Sequence, residues 1–166
     1  MAKAVPAYAK GTNMSKILAI DPGTVTGWAF SDGQFSVSGT WNFKPRRGDG
    51  AGMRFLRLRS KLDEVYGLRG GLDRLIYELP AGQYKSGAAD DVIKGMVSHI
   101  QSWAESVDVP YEGVAPAELK KFAVGKGKAN KDLVLAAAKA RWPEITDHNA
   151  ADAMFILHMV LEGELA

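Results

Sequence analysis

The chain has 166 residues, 46% of them hydrophobic and 24% charged, enough for one domain with a sizeable core. It contains no cysteine, which excludes disulfides, thiolate zinc sites and cysteine nucleophiles. A net charge of +2 does not mark a nucleic-acid binder by itself, so the placement of the charges has to decide.

Residues 1–15 lack the apolar core of a signal peptide and are expected to form a flexible tail. Residues 16–166 are expected to form a single domain, with no internal repeat and no linker. No apolar run reaches membrane-spanning length. Lys16–Asp21 reads as a buried strand, and Thr26–Ser31 and Phe35–Phe43 as strands joined by an Asp32-Gly33 turn. Lys44–Gly52 is rich in glycine and carries Pro45, so it reads as a loop. Phe55, Leu58, Leu62 and Val65 keep helical spacing from Met53 to Tyr66, and Gly67–Gly71 is expected to end that helix. Arg74–Glu78 is a second apolar strand. Ala88–Ala104 is helical, with Val92, Met96, Ile100 and Trp103 on one side, and Val109–Val114 is a short strand. Helices are expected over Pro116–Phe122, Asn130–Arg141 and Asn149–Leu161. Three antiparallel strands followed by alternating helices and strands make a mixed α/β protein, a central sheet flanked by helices.

Two strands end in a way that costs energy. Ile17–Ile20 runs apolar into Asp21, and Leu75-Ile76-Tyr77 runs apolar into Glu78. A buried carboxylate is costly unless it is paired or binds a cation. In open α/β sheets, ligand sites collect beyond the carboxyl ends of strands. If the two strands are neighbours, Asp21 and Glu78 share one site and repel, and a proton or a divalent cation must resolve that. A third acid, Asp152, falls on the helical face that carries Phe155, Ile156 and Met159. Small residues around it, Ala150, Ala151 and Ala153, would let the helix approach the sheet closely. Asn149 sits one turn before Asp152 on the same side, and Asp147 is placed to cap the helix. Singly, each acid could make a turn, an ion pair or a cap. Together they point to a metal site. Oxygen ligands without cysteine suit Mg²⁺, or Mn²⁺, and carboxylate-held metal pairs cleave phosphodiesters.

Lys120, Lys121, Lys126, Lys128 and Lys131 crowd one segment interrupted by Gly125 and Gly127, where backbone can approach phosphates. A second basic set comprises Arg46 and Arg47 in the loop, with Arg54, Arg57 and Lys61 on the helix that follows. Tyr84 and Lys85, next to Gln83, follow Glu78 closely, and Tyr84 offers a surface for stacking on an unpaired base. His99 and His158 have apolar neighbours and read as structural. Met96 and Trp103 read as core or as dimer interface.

The ordered set of motifs resembles the RuvC family of Holliday-junction resolvases. "ILAIDPGTVTGWAF" is similar to that family's first-strand motif, and "LIYELP" to the strand carrying its glutamate. "PAELKKFAVGKGKANKDLV" resembles its lysine-bearing helix, Val-Gly-x-Gly turn and following lysine, and "NAADAM" its terminal acidic motif. The resemblance runs from about Lys16 to Val160. It implies an RNase H-like fold with a five-stranded mixed sheet flanked by α-helices. It also implies a homodimer that cuts a four-way junction, or branched DNA, symmetrically, using Mg²⁺ with two ions in each active site. Asp21, Glu78 and Asp152 would be metal-binding catalytic residues, and Lys120 and Lys131 would touch DNA. The departure is Asn149, where many members have Asp or His; Asn149, Asp147 or His148 would complete the site. The helix Ala88–Ala104 is the candidate dimer interface. The implied location is the cytoplasm of a bacterial or phage-infected cell, near the nucleoid and not secreted.

Three other readings compete. "DPGTVTG" resembles the first phosphate loop of the actin and sugar-kinase superfamily. That superfamily needs a second glycine-rich motif and two larger domains, so no nucleotide cofactor is expected. A non-cleaving junction binder on the same fold is a second alternative. A nuclease for flaps, branches or RNA–DNA hybrids is a third.

Overall fold

The structure is a computed structural model that describes residues 15–82, 87–163 and 165. Most of the expected N-terminal tail therefore lies outside the described residues. Among the described residues, five strands and five helices follow in the order β1 (Ile17–Asp21), β2 (Val25–Ser31), β3 (Ser36–Asn42), α1 (Met53–Arg69), β4 (Arg74–Glu78), α2 (Ala88–Ser106), β5 (Tyr111–Val114), α3 (Pro116–Val124), α4 (Lys131–Arg141) and α5 (His148–Leu161). They form a mixed sheet of order β3-β2-β1-β4-β5. β1 pairs antiparallel with β2 and parallel with β4, so it lies at the centre and is buried on both faces.

Strand alternation sorts the core into two layers. Ile17, Ala19, Ala29 and Ile76 face one side, where α5 lies against the sheet and α3 and α4 lean on it through Leu119, Val134 and Ala138. Leu18, Ile20, Phe30 and Leu75 face the other side, against α1 and α2. Asp21 and Glu78 continue the first set. Their carboxylates therefore emerge on the α5 face, at the carboxyl ends of two parallel neighbours.

Several boundaries differ from the sequence reading, each for a local reason. α1 passes through Gly67 and stops only at Gly70, whose φ of 66° is left-handed. One helical glycine costs about 1 kcal/mol, which the complete burial of Leu58 and Leu62 outweighs. α2 extends to Ser106, and β5 shrinks to Tyr111–Val114. The β2–β3 turn is held as Asp32 Oδ1 accepts from the N–H groups of Gln34 and Phe35, with Gly33 at φ 88°.

The apolar side of α2 is used inside the fold. Met96 and Trp103 are buried against α1, and Trp103 Nε1–H donates to Asp63 Oδ1 at 2.7 Å. Met96 and Trp103 are thus core residues. His99 stacks on Phe55, and His158 lies between Trp142 and Glu162. No helix among the described residues is long and apolar enough to cross a membrane.

Candidate active site

Three elements deliver the acids. β1 and β4 end side by side, and α5 crosses the same face with its first turn over that end. Asp21, Glu78 and Asp152 each present an oxygen, and these atoms lie within 4.8 Å of one another. Asp21 is 9% exposed. The acids open into a cavity of 490 Å³ whose wall also carries Asn149, Lys120 and Lys131.

α5 reaches this position because of Gly27. Gly27 pairs with Asp21 in the β1–β2 ladder, and a Cβ on it would overlap the backbone carbonyl of Asn149. Only glycine lets the first turn of the helix lie flat on β2 there. The turn between β1 and β2 is closed by Thr26, which is fully buried. Its hydroxyl donates to the Gly23 carbonyl at 2.7 Å and accepts from the Gly23 N–H at 3.3 Å.

The electrostatics of the site are set by burial and by the mutual repulsion of the acids. Burial, then the charge of Glu78, a hydrogen bond shared with Glu78 and the charge of Asp152 push the Asp21 carboxyl well above the usual range, against a smaller pull from Lys131. Burial also raises Glu78, while its hydrogen bond to Asp21 and the charges of Lys120 and Lys131 pull it down. The two carboxyls are coupled and do not ionise independently. Burial and the charge of Glu78 push Asp152 up to about 7, opposed by Lys131, His148 and Lys120. Three clustered carboxylates that resist ionising together fit a divalent ion, whose charge would remove the conflict.

The remaining candidates are distributed around this centre. Asp147 caps α5, its Oδ1 accepting from the N–H groups of Asn149 at 2.8 Å and Ala150 at 3.1 Å, and it does not line the acid cavity. His148 Nδ1 lies 3.2 Å from the Lys131 carbonyl, which can only accept, so the ring donates and ties α5 to the start of α4. Lys121, Lys126 and Lys128 lie along α3 and the turn after it and do not line the cavity. Arg46 and Arg47 are exposed in the loop after β3, which leaves the sheet at the same end as Asp21. Arg57 is held by Asp49 at 2.6 and 2.9 Å, and Lys61 by Glu64 at 2.8 Å, so this part of the second basic set is internally neutralised. Tyr84 and Lys85, with Gln83, lie outside the described residues.

Sequence reasoning missed the seat that Gly27 provides for Asn149. The only signal was a glycine interrupting an otherwise regular strand, a sign of close backbone approach. It also missed the apolar wall made by Ile93, Leu119 and Val134, which come from three different helices.

No family pattern and no curated protein matches the sequence. Solved structures do match its fold. Thermus thermophilus RuvC is 18% identical with a TM-score of 0.65, the match covering 89% of this chain and 96% of that one. T. thermophilus RuvC in complex with Holliday junction substrate gives 19% and 0.68, covering 86% and 90%. The yeast mitochondrial Holliday junction resolvase Ydc2 gives 14% and 0.54, covering 87% and 76%. The chain thus has the RNase H-like fold of the RuvC structures, with a five-stranded mixed sheet between two layers of helices.

Proposed function

We propose that the protein is a metal-dependent endonuclease that resolves four-way DNA junctions. The observation that carries this reading is the meeting of Asp21, Glu78 and Asp152, from three separate elements, within 4.8 Å in a cavity flanked by two lysines. Its fold likeness to two RuvC structures, one holding a Holliday junction, supports the choice of DNA substrate.

The three carboxylates would hold Mg²⁺ or Mn²⁺, with the amide oxygen of Asn149 as a neutral fourth donor. Ions held there, two per site, would supply a nucleophilic water at neutral pH and positive charge for the phosphodiester transition state. The chain's own residues do the rest. Lys120 and Lys131 place ammonium groups in the cavity wall, where they would hold the phosphates flanking the cut. Lys131 also lies in the first turn of α4, whose N–H groups favour an anion. Ile93, Leu119 and Val134 limit water around the acids. Lys121, Lys126, Lys128, Arg46 and Arg47 would extend positive charge away from the cavity for the junction arms. A homodimer would match the two-fold symmetry of the junction and give paired cuts.

The test offers labelled four-way junction, flap, nicked duplex and RNA–DNA hybrid, each with and without Mg²⁺. Paired symmetric cuts in the junction alone support the reading. Tight junction binding without any cut would instead support a non-cleaving binder, and cutting of flap or hybrid in preference to junction a broader nuclease.

A further inference from the structure

The loop that joins β3 to α1 carries Gly48, Gly50 and Gly52, and a Cβ on any of them would meet open space. Such a loop is costly to order, because glycine loses more backbone freedom on folding than any other residue. It is nevertheless tied down twice. At its root Phe43 is buried beside Trp41, and its N–H donates at 2.8 Å to the carbonyl of Thr24, a residue of the acid-cavity wall. Further along, Asp49 gathers the loop onto α1. Its Oδ2 accepts from the Arg46 N–H and from Arg57 Nη1, both at 2.6 Å, and its Oδ1 accepts from Arg57 Nη2 at 2.9 Å. The Asp49 N–H closes the turn on the Arg46 carbonyl at 3.0 Å.

This clamp divides the cations of the region into two kinds. Arg57 is neutralised by Asp49, and the hydrogen bonds from Arg57, then from the Arg46 N–H, hold the Asp49 carboxyl below the usual carboxylate range. Arg46 lends the clamp its N–H and not its guanidinium. Arg46 and Arg47 are exposed, and neither forms an ion pair among the described residues. A bidentate arginine–carboxylate pair fixes orientation as well as distance. The fold thus holds two unpaired guanidinium groups on an ordered turn whose root is bonded to the cavity wall. Cations placed in this way suit the sugar–phosphate backbone, where contacts set the position of the nucleic acid without reading its sequence.

We infer that Asp49 is a positioning residue: through Arg57 it holds the loop so that Arg46 and Arg47 contact the backbone phosphates of a junction arm beside the acid cavity. The inference rests on the nuclease reading and deepens it, since it concerns how the same substrate is held. The expected effect runs against net charge. Asp49 is an acid on a surface that faces DNA, so charge alone makes its removal strengthen binding. Loss of the clamp makes its removal weaken binding.

The test measures affinity of the full chain for a labelled four-way junction over a series of salt concentrations, without a divalent ion so that nothing is cut. Asp49→Asn is expected to bind roughly tenfold more weakly, with a salt dependence shallower by about one to two phosphate contacts. Arg57→Lys keeps the charge but loses the planar fork, and is expected to shift both quantities in the same direction. The double variant is expected to lose no more than Asp49→Asn alone, because both changes break one unit. Equal or tighter binding by Asp49→Asn would overturn the inference and leave the nuclease reading standing. Weaker binding with an unaltered salt slope would overturn it likewise, since that marks general damage and not lost phosphate contacts. No junction binding by the unaltered protein would overturn both. Should Asp49→Asn fail to fold, Arg57→Lys decides by the same criteria.

Discussion

Gly27 and Asp21 face each other across the β1–β2 ladder, and the space above Gly27 is filled by the backbone of α5. One missing Cβ on β2 thus decides how near Asp152 comes to Asp21. Gly27→Ala would force the first turn of α5 off the sheet. Overpacking of this kind costs roughly 1–3 kcal/mol, and a displacement of about 1 Å in a catalytic group costs on the order of 100-fold in rate. Chemical denaturation and a junction-cleavage time course should show both losses. Unchanged values in both would mean that the close approach carries no weight.

Asp147 and Asn149 are neighbours with different work. Asp147→Ala removes a helix cap and should cost about 1 kcal/mol, seen as a melting temperature lower by roughly 2–4 °C, with cleavage nearly intact. A loss of cleavage as deep as that of Asp21→Asn, in a folded Asp147→Ala protein, would give Asp147 a direct part in the site.

The acid cluster predicts an unusual pH dependence. Unfolded carboxylates lose their protons near pH 4, whereas folded Asp152 keeps its proton to about 7 and Asp21 is raised well above its ordinary value. Between those limits the folded chain binds more protons than the unfolded one, so stability falls as pH rises. The metal-free protein should melt at a lower temperature at pH 8 than at pH 5, and Asp152→Asn should flatten that slope. Saturating Mg²⁺ should raise the melting temperature more at pH 8 than at pH 5. Equal gains at the two values would contradict a metal site built from these acids.

Much of this site was legible because an apolar strand ending in a carboxylate is costly without a purpose. That logic picks out Asp21 and Glu78, and helical spacing adds Asp152. The seat of α5 on Gly27 was not legible, because it joins backbones far apart in the chain and leaves no side-chain pattern. Arg57 reads as a free cation on a helix, but Asp49, which holds it, comes from the preceding loop. Gly67 reads as a helix stop because propensity alone ignores the burial of Leu58 and Leu62, while the true stop at Gly70 depends on a left-handed φ.

Lys120 and Lys131 should act on binding more than on folding, since both stand in the wall of an open cavity. Lys131→Met should weaken junction binding and lower the salt dependence of affinity by about one phosphate contact. An unaltered salt slope would remove Lys131 from the DNA path. The same change should raise the three acids further, because Lys131 pulls against the raised values of all three.

The most direct test of the central claim is cleavage of a labelled four-way junction by the unaltered protein and by Asp21→Asn, each with and without Mg²⁺. The account predicts paired symmetric cuts only for the unaltered protein with Mg²⁺, while Asp21→Asn still binds the junction. Cutting that survives Asp21→Asn, or that proceeds equally well without a divalent ion, would contradict it.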